Sequence, residues 1–310
     1  MSPLSSMPRG PRRVLRQIVA AACCGGIAIG SAAACAPEPW SADRLRALRA
    51  AQFKIDDDEQ RTALALGLLP CLASPDPAVR DEVAFEALSS WLRGGALSLA
   101  TARELGQSLL PMLQQRDAAG VAAPFAALAL AEVARVDRLK PMWTGDERVT
   151  MVEAAATWVA GITDHRGFDP QVGWRHAVAH GADWLMQLAL NPALDRSQLD
   201  RILDAVARQV LPVDGHPYVH GESERLARPV VFVIRRGLHT PADWSAWLGR
   251  IAAAAKVAAA PPTTAAGLAA MHNAKAFLYP LYIAVQEGND SEQRQRVMPG
   301  LLAALRELNR

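Results

Sequence analysis

The stretch "SPDPAVRDEVAFEALSSWLRGG", Ser74 to Gly95, decides the fold. Asp76 can cap a helix with its carboxylate, and Pro77 suits the first helical position, where an N–H would have no intrahelical partner. Asp81 and Glu82 then sit at the positive end of the helix dipole. Val79, Val83, Leu88 and Leu92 form an apolar stripe, and Gly94-Gly95 supplies the stop. A second start of this kind is "TPADWSAWL", in which Thr240 caps, Pro241 opens the helix and Asp243 can complete a capping arrangement. Similar starts recur near Ser41, Asp57, Asp76, Ser98, Ala122, Gly145, Asp169, Asp195, Gly221, Thr240, Thr264 and Asp290. Successive starts lie about 23 residues apart, so a pair of helices spans about 46.

That period matches the two-helix HEAT or armadillo unit of about 40–47 residues, and "DPAVRDEVAFEAL" resembles the first helix of a HEAT repeat. The expected fold is all-α, a helical-repeat superhelix. An irregular bundle of antiparallel helices satisfies the same spacing. Composition agrees with a helical chain: 51% of the 310 residues are hydrophobic, enough for a large core, while aromatics are only 5%. Alanine, the best helix former, is abundant, and runs rich in Val, Ile, Thr and Tyr are few. No linker separates two domains. "AAAPPTTAAG", Ala258 to Gly267, is the best candidate and reads as a turn before the last helices.

The first 34 residues read as an export signal. They hold Arg9, Arg12, Arg13 and Arg16, no acid, and then the glycine-broken apolar run Ile18 to Ala34. A retained membrane anchor is the other reading of that run. "AAAC", Ala32 to Cys35, resembles a bacterial lipobox, which implies lipidation of Cys35; ordinary cleavage after Ala34 also fits. Residues 35–56 are expected as a stiff tether and first helix, and 57–310 as one helical-repeat domain. The formal charge of the whole chain is +2, and removing the four signal arginines leaves −2. Nucleic acid is therefore not an expected partner, since that needs a concentrated basic face. Cys23 and Cys24 leave with the signal. With lipid on Cys35, only Cys71 remains, so no internal disulfide is expected and Cys71 reads as a small buried apolar residue.

One segment carries unusual chemistry: "DPQVGWRHAVAHGADWL", Asp169 to Leu185. With Asp169 as cap and Pro170 in the first turn, His180 lies about 40° from His176, Asp183 about −20° and Gln187 about 20°. These four side chains form one polar line, with Trp174, Val178, Leu185 and Ala189 opposite. The line reads as a solvated face, a buried hydrogen-bond network, a ligand surface of a solenoid, or a metal site. Two histidines at this spacing also occur in zinc proteases, but Ala177 stands where the general-base glutamate belongs. A second cluster, "GHPYVHGESERLARPVVFVIRRG", holds His216, His220, Glu222, Glu224, Arg225 and Arg228. Its acids suit a helix start, and Pro229 is expected to distort or interrupt the helix. Five of the seven histidines lie between His165 and His220.

"GWRHAVAHGADWL", "GESERLA", "RDEVAFEALSSWL" and "NAKAFLYPLY" together resemble a bacterial family of unknown function, domain-of-unknown-function family 2785, over roughly Asp57 to Tyr282. The resemblance implies an all-helical, repeat-like protein. It also implies that Gly173, Trp174, His176, His180 and Asp183 belong to one feature with Glu222, Glu224 and Arg225. It implies no activity. The leading expectation is an exported, lipid-anchored binding module without a cofactor. A protein or small-molecule ligand would meet Trp174, His176, His180, Asp183, Gln187, Glu222, Glu224 and Arg225. A metal-dependent hydrolase of the cell envelope using His176, His180 and Asp183, and a purely architectural protein, are the rivals.

Overall fold

A computed structural model describes residues 35–260 and 264–310, so the signal read in residues 1–34 lies outside the described residues. The helices are α1 (Ala42–Ala50), α2 (Asp58–Gly67), α3 (Pro77–Val79), α4 (Glu86–Gly94), α5 (Leu99–Leu109), α6 (Ala122–Leu139), α7 (Gly145–Ala160), α8 (Ala177–Ala189), α9 (Arg196–Val210), α10 (Glu222–Arg236), α11 (Pro241–Ala258), α12 (Ala265–Gln286) and α13 (Ser291–Leu308). A widened π-helical stretch, Arg80–Phe85, joins α3 to α4. The fold is all-α and repeat-like. Helices α4, α6, α8, α10 and α12 pack side by side in one layer; in the other, α7 lies against α9 and α11 against α13.

The starts follow the chain's own capping chemistry. Ser41, Asp57, Ser98, Asp195, Thr240, Thr264 and Asp290 each accept a backbone N–H three residues on. The arrangement at Thr240 and Asp243 is a full capping box. Asp117 caps α6 from outside, accepting from Val121 N and Ala122 N. Small side chains let the central helices approach closely. Ala126, Ala127, Ala131 and Ala134 on α6, and Ala179 and Ala182 on α8, are all buried. On α8, a Cβ at Gly181 would lie 2.7 Å from Val159 Cγ2, so α7 packs directly against that backbone.

Three expectations are corrected. First, α8 begins at Ala177, not beside Asp169. Asp169 spends its carboxylate in a turn, accepting from Gln171 N at 2.9 Å and Val172 N at 2.8 Å. Such local bonds compete with helix formation. Residues 168–174 instead form a short antiparallel hairpin, β1 (Phe168–Asp169) and β2 (Gly173–Trp174), with Phe168 opposite Trp174. Second, α10 runs through Pro229 without interruption. Third, Cys35 and Cys71 are joined by a disulfide. The opposite expectation had assigned the Cys35 sulfur to lipid, and one thiol sulfur cannot carry both bonds. Cys35, Ala36 and Trp40 pack on the core.

Candidate functional site

Two connections meet at one end of the central helices: the segment between α7 and α8, which carries the hairpin, and the segment between α9 and α10. Both are held rigidly from below. Arg80 is fully buried, its guanidinium 4.5 Å from the Phe125 ring centroid, and it donates to Val172 O at 2.9 Å. Arg175 donates to Asp169 Oδ2 at 3.0 Å and, through Nε, to Ala119 O. Asn273 on α12 clamps the second segment, accepting from Tyr218 N and donating to His216 O, each at 2.9 Å. Tyr218 Oη donates to Gln209 O at 2.9 Å.

Where the segments touch, five of the chain's seven histidines gather. His165 bonds Asp214 Oδ2 through Nδ1 at 3.0 Å and stacks on His216, ring centroids 5.7 Å apart. Beside this pair, Trp174 covers His176 with centroids 4.2 Å apart. His220 stands 5.8 Å from Trp174 and 6.4 Å from His176. His180 is edge-on to His176 at 6.0 Å. Glu222 lies behind His220: its Oε2 accepts from His220 N at 2.8 Å, and its Oε1 is 3.6 Å from His220 Nδ1. Gly167 makes room for this pair, because a Cβ there would lie 2.3 Å from His220 Nδ1.

The arrangement has a wet side and a dry side. Trp174 is 41% and Phe168 51% exposed, and their rings meet edge to face at 5.0 Å. Glu222 beneath is 1% exposed. Among the described residues, His165 Nε2, His176 Nε2, His216 Nε2, Glu222 Oε1 and Ser223 Oγ are buried without a hydrogen-bond partner. Unpaired buried polar atoms are rare and costly, and a cluster of them marks a place where another group is bound or exchanged. Helices α8 and α10 both start here, behind His176 and Gly221 in left-handed conformations and without a side-chain cap.

Charge follows burial. Burial holds the His176 imidazolium below its usual range, with Arg225 and His220 acting the same way and the Glu222 carboxylate opposing. His180 is pushed down to about 3, first by burial and then by His176 and Arg225. Its Nδ1 lies 3.2 Å from Pro124 O, an acceptor only, so Nδ1 carries the proton of the neutral ring. The His180 ring is thus neutral at pH 7, and burial favours the neutral form of His176 as well. Burial pushes the Asp183 carboxyl up, while Arg225 opposes this.

The sequence-predicted residues divide. Trp174, His176, His180 and Glu222 come together. Trp174 stands with His176 rather than opposite it, because it belongs to β2 and not to a helix. Asp183 and Arg225 form an ion pair alongside, with Arg225 Nε donating to Asp183 Oδ1 at 2.9 Å and Nη2 donating to Oδ2. Gln187 is not part of the cluster; it accepts from Arg138 Nη2 at 3.3 Å. Glu224 is also apart, exposed and paired with Arg228 at 3.0 Å. The candidate metal set His176, His180 and Asp183 does not form. Asp183 faces Arg225, and among the described residues no group of three or more His, Cys, Asp or Glu side chains is placed to hold a metal ion.

Sequence reasoning left Gly167, Phe168, Arg80 and Arg175 out of the site. Arg80 had a signal: it is a cation on the helix that carries Val79 and Val83. Gly167 had none, since it matters only because two distant segments meet; Phe168 enters through the hairpin that pairs it with Trp174, where a helix was expected.

A family described as a protein of unknown function, DUF2785, matches residues 109–283. That range contains both segments of the site but begins well after Asp57, the start of the resemblance in the sequence. No curated protein and no solved structure matches the chain.

Proposed function

The chain belongs to the family of unknown function DUF2785, which brings no activity with it, and from the site itself we propose that the protein is an exported binding module. Its ligand is a small molecule or exposed group with a flat apolar face and hydrogen-bond donors, a sugar or an amine on a ring. The half-exposed Trp174 indole, backed by His176 and flanked by His220 and Phe168, is the observation that carries this reading. Aromatic faces supply contact area at low entropic cost. The unpartnered Glu222 Oε1 beside them is an acceptor, and His176 Nε2 is one in the tautomer that carries its proton on Nδ1. A ligand that brings donors relieves their desolvation, and one that brings a carboxylate does not. The helical layers act as the rigid scaffold on which the two loops are held. Export is supported by the arginine-led apolar signal in the sequence.

The test is a binding screen with neutral sugars, ring amines and ring carboxylates as probes, read by calorimetry. Sugars or amines are expected to bind, with at least a tenfold loss in Trp174→Ala and in His220→Ala. A preference for carboxylates, no binding by any probe, or binding untouched by both substitutions overturns the proposal.

A further inference from the structure

The start of the mature chain is built into the body. Pro37 sits against α2 at Gly67, where a Cβ would lie 2.4 Å from Pro37 Cγ. Trp40 N donates to Pro37 O at 2.8 Å, and the Arg44 guanidinium lies 5.0 Å from the Trp40 ring centroid. This strap delivers Cys35 to Cys71, which is wholly buried. The lipobox-like "AAAC" offers the same sulfur to a different fate. Lipidation would join Cys35 Sγ to a diacylglyceryl group through a thioether and consume its only free valence. It would also place two acyl chains on a sulfur that touches a core residue. The Cys35–Cys71 bond and acylation of Cys35 therefore exclude one another.

We infer that Cys35 is a site of oxidation and not of lipidation: the mature chain is released from its signal and closed by the Cys35–Cys71 bond. The two thiols lose two protons and two electrons, and an S–S bond forms between their sulfurs. The electrons pass by thiol–disulfide exchange to a protein disulfide of the oxidising compartment, which leaves as a dithiol. Disulfides persist in such compartments and not in the reducing cytosol. Cysteine usage thus joins the arginine-led signal as a second, separate mark of export. Neither mark depends on the ligand site.

The test expresses the full chain with its leader in a bacterial host that processes both plain and lipoprotein signals. Expected is a mature protein recovered without detergent. Under denaturing conditions it takes up no iodoacetamide before reduction and two equivalents after it. A diacylglyceryl mass on Cys35 overturns the inference, as does a chain whose two thiols alkylate without reductant. Cys71→Ala guards against a folding failure being misread. It is expected in the same soluble fraction with one freely alkylating thiol, and its retention in the membrane as an acylated chain also overturns the inference.

Discussion

The indole of Trp174 lies 4.2 Å, centroid to centroid, from the imidazole of His176, although one residue ends a strand and the other precedes a helix in a left-handed backbone conformation. The contact sits at the surface, so it contributes little to the fold. Replacing Trp174 by Ala is expected to change stability by no more than about 1 kcal/mol. Chemical denaturation measures this. A much larger loss would make the indole a structural residue and not a ligand platform.

Gly167 is a stricter constraint. An added methyl group would overlap His220 Nδ1 and press on Glu222 Oε1, 3.1 Å away. Either the His220 ring must swing out or the segment must shift. Gly167→Ala is expected to cost about 1–3 kcal/mol, as overpacking does. It should also displace the His220 ring signals in an NMR spectrum. Unchanged ring signals would show that the pair is not packed as described.

His180 gives a pH dependence with a definite sign. Its folded-state pKa is pushed down from 6.5 to about 3, chiefly by burial. Between those values the unfolded chain binds more protons than the folded one. The stabilisation is complete above about pH 6.5 and is lost as pH falls toward 3, with a slope approaching about 1.4 kcal/mol per pH unit. His176 is shifted the same way and steepens the fall. His180→Gln should flatten the profile in denaturation curves between pH 4 and 7. An unchanged slope would mean that the acid sensitivity lies elsewhere.

Asp137 anchors the opposite end of the scaffold. Its carboxylate is fully buried and accepts from Met142 N at 2.9 Å, Trp143 N at 2.8 Å, Arg148 Nε at 2.8 Å and Asn191 Nδ2 at 2.8 Å. Burial works to raise its pKa, but Arg148 and the two amides hold it below the usual carboxylate range. Asp137→Ala strands Arg148 and several donors at once and is expected to cost about 3–5 kcal/mol. Thermal and urea denaturation read this directly. A loss below about 1 kcal/mol would contradict the network, since that is the range of an ordinary exposed pair.

The helices were legible because their starts are written locally. A Ser, Thr or Asp accepting an N–H three residues on is a short-range signal, and Ser98, Asp195 and Thr240 behave as their side chains dictate. Asp169 is the instructive exception. The same Asp-Pro start that opens α3 at Asp76 closes a hairpin turn at Asp169, because Gly173 adopts a positive φ against Pro77 and Arg80. That choice is made by residues nearly a hundred positions away. The site was legible in its residue types: Trp174, His176, His180 and Glu222 stand out by chemistry alone. Its geometry was not, because the helical register assumed for His176 put Trp174 on the wrong side. Gln187 entered the line by helical spacing and is drawn off by Arg138; Glu224, read from the second cluster, pairs with Arg228 instead.

Two segments that make one site must respond together to one ligand, and chemical-shift mapping reads that response. A ring amine or sugar that binds should be titrated into isotope-labelled protein, with the Trp174 Nε1–H assigned through Trp174→Phe. The Trp174 indole and the His176 and His220 rings are expected to shift along one binding curve, and Glu222→Gln to weaken that curve. Shifts confined to a single segment, or gathered on a surface without Trp174, would contradict it.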